Sequence, residues 1–175
     1  SFWREPTLIS TLLSIAHLDS FNFKKNYTNV KFDNIIQVDT VSGGGMFLKK
    51  EVFNHVNGLD ENLFWMEDID LCIRLKRGGY LTYYFTETEI VHFIGKSAKT
   101  NYKTSISNQL LSKIKFFNKH HSRWSAKIIF FSILFILLIK MPLFLFFSLF
   151  HSTYRKKFVA YLYTLRLVIN FSFSD

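Results

Sequence analysis

The sequence predicts an α/β unit joined to a helical, apolar tail, and three observations carry that expectation. Strand and helix signals alternate between residues 35 and 85, punctuated by glycines. The chain is 49% hydrophobic with 21 Phe among its 175 residues, and most of the apolar excess sits in residues 128–150. Lys and Arg gather at 96–127 and again at 155–157, on both borders of that apolar run.

Taken in order, "TLISTLLSIAHL" at 7–18 spaces Leu8, Leu12, Leu13 and Ile15 as a short helix. Residues 19–34 are polar and rich in Asn and Lys, a loop composition. "IIQVDTV" from Ile35 is β-branched and alternating, which predicts one strand. It runs into Gly43, Gly44 and Gly45, where the backbone can approach a ligand or take positive φ. "KEVFNHVNG" predicts a short helix closed by Gly58, and "LDENLFW" a loop. A helix then starts near Glu67 and stops at Gly78-Gly79, followed by strands at "YLTYYF" and "EIVHF". From Thr104 to Arg123, Ile106, Leu110, Ile114 and Phe117 recur at helical spacing with Lys115 and Lys119 opposite, a basic amphipathic helix. The apolar run 128–150, broken by Lys140 and Pro142, and a second apolar segment at 158–173 carrying Arg166 complete the chain.

A net charge of +9 and a pI near 9.6 suit nucleic acid, anionic lipid or phosphorylated ligands. The basic clusters border the apolar run, which favours lipid, and the chain has neither zinc-finger spacing nor an RNA-binding aromatic signature, so nucleic acid is excluded as a partner. Cys72 is the only cysteine, so no intrachain disulfide forms, in keeping with a reducing compartment. The chain opens at "SFWREP" with neither a starting Met nor a signal peptide, as a fragment or processed product would.

One stretch has two readings. In "LFWMEDIDLCIRLKRGGY" (63–80), Glu67, Asp68 and Asp70 follow Phe64 and Trp65 directly. Acids in the first turn complement the helix dipole, roughly 0.3–1 kcal/mol each. Asp70 and Arg74 are four apart and can pair on the helix surface while Leu71 and Leu75 face the core. That architectural reading explains Asp70. It leaves unexplained why Glu67 and Asp68 adjoin an aromatic pair and follow a glycine-rich strand end. A carboxylate at the lip of a pocket can instead take the proton of an attacking sugar hydroxyl. Aromatic faces beside it can stack on the sugar ring, and glycines nearby admit a bulky ligand.

"VSGGGMFLKKEVFNHVNGLDENLFWMEDIDLCIRLKRGGYLTYYFTETEIVHFIGKS" (41–97) resembles the acceptor half of bacterial family 2 glycosyltransferases, especially rhamnosyltransferase-like members. The shared pattern is a strand ending in Ser-Gly-Gly, a basic residue before a short helix and a Gly-Phe-Asp-Glu turn. Aromatics, Glu-Asp-x-Asp-Leu-Cys-x-Arg, Gly-Tyr, a strand His and Gly-x-Ser follow in order. Leu59 replaces the usual Phe, and the likeness covers residues 38–97.

The resemblance implies a partial GT-A-type glycosyltransferase domain over 1–103, with the amphipathic helix at 104–127 and a hydrophobic, membrane-associated helical tail at 128–175. It implies Asp68 as the catalytic base, with Glu67 supporting the acceptor or the loop. Trp65 matches an aromatic lining the acceptor pocket, and Gly43, Gly44 and Gly45 lie where the backbone runs close to donor and acceptor. Asp60 and Glu61 match the turn before the site. His92 matches a His that approaches metal or diphosphate, although a lone strand His is more often structural. The implied reaction is inverting transfer of a sugar, rhamnose among the candidates, from a nucleotide-sugar to a glycan or lipid-linked acceptor. A divalent metal, Mg or Mn, is expected for the complete enzyme, with none held securely by this chain. The family's nucleotide-binding half, with its metal-binding Asp-x-Asp, lies upstream and is expected to be missing, so the isolated chain is expected to be inactive. The competing expectation is an inactive, membrane-anchored remnant that pairs with another transferase half.

A spanning helix needs about 20 apolar residues, which 128–150 supplies, although Lys140 near its centre costs roughly 2.5–3.5 kcal/mol on insertion scales. A single span would set one basic cluster on the outer face, against the positive-inside tendency. A bend at Pro142, giving a re-entrant or interfacial hairpin, would keep both clusters on the cytoplasmic face of the membrane.

Overall fold

The computed structural model describes residues 2–17, 35–87 and 101–173. The expected strand "EIVHF", His92, the Gly-x-Ser and the loop at 19–34 lie outside the described residues. What is described is mostly helical, with two small sheets whose strands all lie between residues 2 and 85.

The first strand, β1 (Phe2–Trp3), leads to α1 (Leu8–Ile15). Thr7 and Ser10 form a reciprocal capping box that satisfies two orphan donors at the start of α1. The single strand expected from Ile35 is two, β2 (Ile35–Val38) and β3 (Thr40–Val41). The break is at Asp39, whose carboxylate accepts from the Glu5 N–H and pairs with Lys76 at 3.2 Å. On either side of it the chain joins different sheets. β2 pairs antiparallel with β4 (Thr82–Phe85), Ile35 opposite Phe85, and β3 pairs antiparallel with β1, Phe2 opposite Val41.

Gly43–Gly45 make one 3-10 turn. None of the three has positive φ; that conformation falls instead at Asn57 and Gly58, closing α2 (Lys50–His55), and at Gly79 after α3 (Glu67–Arg77). Leu71 and Leu75 of α3 are buried with Val56 in a small core that Met46, Leu48, Val52, Phe53 and Tyr80 complete. Cys72 is fully buried, and burial pushes its thiol up, as befits a packing residue.

Three helices complete the chain: α4 (Tyr102–His120), α5 (Arg123–Ser148) and α6 (Ser152–Ile169). Leu110, Ile114 and Phe117 of α4 are buried, so its apolar face is taken up by the protein interior rather than left for lipid. The main core joins Ile15 of α1, Ile73 of α3, Ile114 of α4, Ile129, Ile133 and Leu137 of α5 and Val168 of α6. It draws on α1, α3 and all three C-terminal helices.

The tail differs from the expected bend. α5 continues through Pro142 to Ser148, about 39 Å at 1.5 Å per residue, and the chain reverses only at 149–151. Phe144 lies against Tyr154 and Tyr161, while Arg123 at the other end donates to the Phe173 carbonyl, so α5 and α6 are antiparallel. The cluster at Arg123 and Lys127 and the cluster at 155–157 therefore sit at opposite ends of α5. By length and composition α5 is apolar enough to cross a membrane. One side of it packs inward at Ala126, Ile129, Ile133 and Leu137. The other exposes Ile128, Phe131, Phe135, Leu138 and Leu145 as one lengthwise stripe.

Candidate functional site

The acidic stretch divides between two jobs, and the helix period explains why. Residues two apart on a helix point away from each other, so Asp68 and Asp70 cannot face one ligand from regular helix. Asp68 turns toward the glycine turn, where its Oδ2 accepts the Gly43 N–H at 3.0 Å and its Oδ1 accepts from the Ile69 N–H at 2.8 Å. A Cβ at Gly43 would stand 3.5 Å from the Asp68 Cβ, so the turn and the carboxylate are in near contact. Gly43 and the acid, 25 residues apart in sequence, are thus brought to one place. Asp68 remains partly exposed, within reach of an incoming hydroxyl.

Glu67 beside it is half-buried, and its Oε2 meets no hydrogen-bond donor among the described residues. Burial raises its carboxyl above the usual range, and the neighbouring Asp68 charge adds to the rise. The cap residue Met66 offers no side-chain bond to the first turn of α3, so the acids meet the positive helix end unaided. Ahead of them Phe64 and Trp65 are 61% and 41% exposed, an aromatic surface with no core to fill.

Asp70 is the opposite case. Its side chain is fully buried and both oxygens are committed. Oδ2 accepts from Arg74 Nε at 2.8 Å and lies 2.7 Å from its Nη2, and Oδ1 lies 2.7 Å from Lys119 Nζ and 2.6 Å from His120 Nε2. The expected Asp70–Arg74 pair forms, but inside the protein rather than on the helix surface. Burial raises the Asp70 carboxyl and the bonds from His120, Lys119 and Arg74 lower it; the bonds prevail, holding it far below the ordinary carboxylate range. An ionised Asp70 can only accept, so His120 donates from Nε2. Arg74 also donates to the Val56 carbonyl, tying α3 to the end of α2.

Lys119 and His120 were not singled out as partners of the acids by sequence pattern. Their nearest cue is that Lys119 follows Lys115 by one helical turn, and both reach the turn before α3. Lys115 donates to the Asn62 carbonyl and Lys119 pairs with Asp60 at 2.6 Å. The Lys119 bond keeps Asp60 below its ordinary value. Asp60 also receives the Asn62 N–H at 3.0 Å, so its carboxylate braces the turn, while Glu61 stands exposed on it.

The Asp-x-Asp of residues 68–70 does not fit a metal ion. One carboxylate is held by three cationic or donor groups in the interior and the other turns to a backbone N–H. Among the described residues no group of three or more His, Cys, Asp or Glu is placed to hold one.

Comparison with known proteins adds an independent line. The chain is 31% identical over 88 residues to the N-acetylglucosaminyl-diphospho-decaprenol L-rhamnosyltransferase of Mycobacterium tuberculosis, covering 50% of this chain and 29% of that protein. It is 33% identical over 78 residues to Rhamnosyltransferase WbbL of Escherichia coli K12, covering 42% of this chain and 30% of that protein. The chain is similar to bacterial rhamnosyltransferases. The rhamnosyltransferase likeness spans under a third of each relative's length. No family model matches the chain, and no solved structure matches it.

Proposed function

We propose that this chain is the acceptor-side part of a rhamnosyltransferase-like enzyme of the GT-A type, with Asp68 as its base. The observation that carries the reading is the Gly43–Asp68 contact beside the exposed Phe64 and Trp65. It brings a backbone turn to a carboxylate that follows the exposed Trp65 by three residues, and the likeness to rhamnosyltransferases supports the same chemistry.

In the proposed reaction the acceptor sugar lies on the Trp65 face with one hydroxyl at Asp68. The Gly43 N–H orients the carboxylate. Asp68 takes the hydroxyl proton as the oxygen attacks the anomeric carbon of a nucleotide-activated sugar. The bond from that carbon to the diphosphate oxygen breaks, its electron pair leaves on the nucleotide, and configuration inverts. Donor binding belongs to a nucleotide-binding half, and a divalent metal there would be held by residues other than those described here.

We place the protein on the cytoplasmic face of a membrane, with α5 lying along the interface rather than crossing it. The outward stripe of α5 is apolar over its whole length, while the α4 and α6 helices packed on its other side carry Lys113, Lys115, Lys119 and Arg166. A crossing α5 would draw those charges into hydrocarbon. Such a placement suits a lipid-linked glycan acceptor.

Trp65→Ala tests the acceptor surface. In a transfer assay supplied with a nucleotide-binding half, it is expected to raise the acceptor KM about tenfold with a much smaller change in kcat, as loss of uniform binding does. An unchanged KM would move the acceptor away from α3.

A further inference from the structure

From residue 90 to residue 174 the chain contains no Asp or Glu, although it carries thirteen Lys or Arg there. Some of these cations are used internally, as Lys119 is. Others converge where no carboxylate among the described residues pairs with them. The first turns of α4 and α6 lie side by side and leave a cleft of about 430 Å³, lined by Asn101, Tyr102, Lys103, Ser152, Arg155 and Lys156. Lys103 is drawn toward α6 by the Tyr163 ring, 4.1 Å from its centroid. Arg155 and Lys156 have no ion-pair partner among the described residues, and all three cations are exposed.

The surroundings say what kind of anion would come here. Ser152 follows directly on the reversal at 149–151, where Leu149 and Phe150 are 76% and 66% exposed. Phe146 beside them is exposed too, and Phe147 packs on Tyr154 at 5.3 Å. A cationic, hydroxyl-bearing cleft whose Ser152 directly follows a reversal of bare apolar side chains matches a molecule with a phosphate joined to hydrocarbon. α4 is about 28 Å long, and its other end carries the Lys119 and His120 that hold Asp70, so the cleft is remote from the candidate catalytic carboxylate.

We infer that the Lys103–Arg155–Lys156 cleft binds the phosphate headgroup of an anionic lipid, fixing the far end of the helical bundle to the membrane surface. This rests on the membrane placement proposed above and adds a defined headgroup site to it. The Arg155 guanidinium offers a bidentate fork to phosphate oxygens, Lys103 and Lys156 supply compact charge, and the Ser152 hydroxyl can donate.

Flotation of the full chain with phosphatidylcholine vesicles, with and without phosphatidylglycerol, tests the site. The variant K103Q/R155Q/K156Q changes only exposed side chains and should keep the wild-type melting curve. It is expected to lose on the order of 10²-fold in partition onto phosphatidylglycerol vesicles, given about 1 kcal/mol for each basic residue near an anionic surface. A second variant, K49Q/K50Q/K127Q, removes the same charge outside the cleft and should lose severalfold less. Equal losses in the two variants would show a diffuse charge effect and overturn the site, as would full retention by the first. Wild-type flotation together with an unaffected first variant keeps the membrane placement and removes the cleft. A wild-type chain that floats on neither vesicle removes both. Glycerol 3-phosphate is the soluble probe: tight binding of it by a chain indifferent to phosphatidylglycerol would assign the cleft to free phosphates and overturn the lipid assignment.

Discussion

Asp70→Ala is expected to destabilise the protein by roughly 3–5 kcal/mol, the usual loss when one partner of a buried charge network is removed. The carboxylate is fully buried among Arg74, Lys119 and His120, and without it those groups face one another in the interior. For a chain of this size the change lowers the Tm by roughly 10 °C. Asp70→Asn restores a hydrogen-bond acceptor but not the charge, and should fall between Ala and wild type. The same network sets the acid limit of stability. Because the folded protein holds Asp70 below its unfolded value of 3.8, its contribution is complete above that value and declines as pH falls beneath it. Thermal melts by circular dichroism at neutral pH and between about pH 5 and 2 check both points. A neutral-pH loss under about 1 kcal/mol would mean that the cluster does not bear on stability as its burial requires.

Asp68→Asn is expected to behave in the reverse way. Its carboxylate is partly exposed and, among the described residues, accepts two backbone hydrogen bonds, so the amide should fold and melt nearly as wild type. Transfer, assayed with a nucleotide-binding half present, should fall by a factor on the order of 10² or more, as loss of a general base gives. The substitution keeps the shape of the side chain and removes its capacity to take a proton. Glu67→Gln is the comparison, because Glu67 adjoins the same surface with a carboxyl that burial raises above its ordinary value. A larger loss at Glu67 than at Asp68 would transfer the role of base to Glu67.

The local elements were legible because their signals are local. α3 ends where Gly78 and Gly79 say it must, α2 closes at Asn57 and Gly58, and α4 follows the spacing of Leu110, Ile114 and Phe117. The meeting of Gly43 with Asp68 could be anticipated from the ordered motifs of the resemblance, and periodicity alone would not have found it. The rest depends on partners distant in sequence. Asp39 divides an apparently continuous strand because Glu5 and Lys76 hold it, and no pattern within "IIQVDTV" announces that. Asp70 reads as an ordinary surface partner of Arg74 because His120 enters from 50 residues away. Pro142 suggests a bend in a greasy run, yet the helix continues through it and the reversal falls at 149–151.

The central claim is sugar transfer by a unit that includes this chain. Its most direct test is product analysis: the folded chain and a nucleotide-binding half are incubated with nucleotide-activated rhamnose and a lipid-linked glycan, and the lipid fraction is examined by mass spectrometry. The account predicts an acceptor heavier by one rhamnose, formed by the wild-type chain and lost with Asp68→Asn. Product formed equally well by Asp68→Asn, or none formed by a folded wild-type chain under conditions where donor is bound, would contradict it.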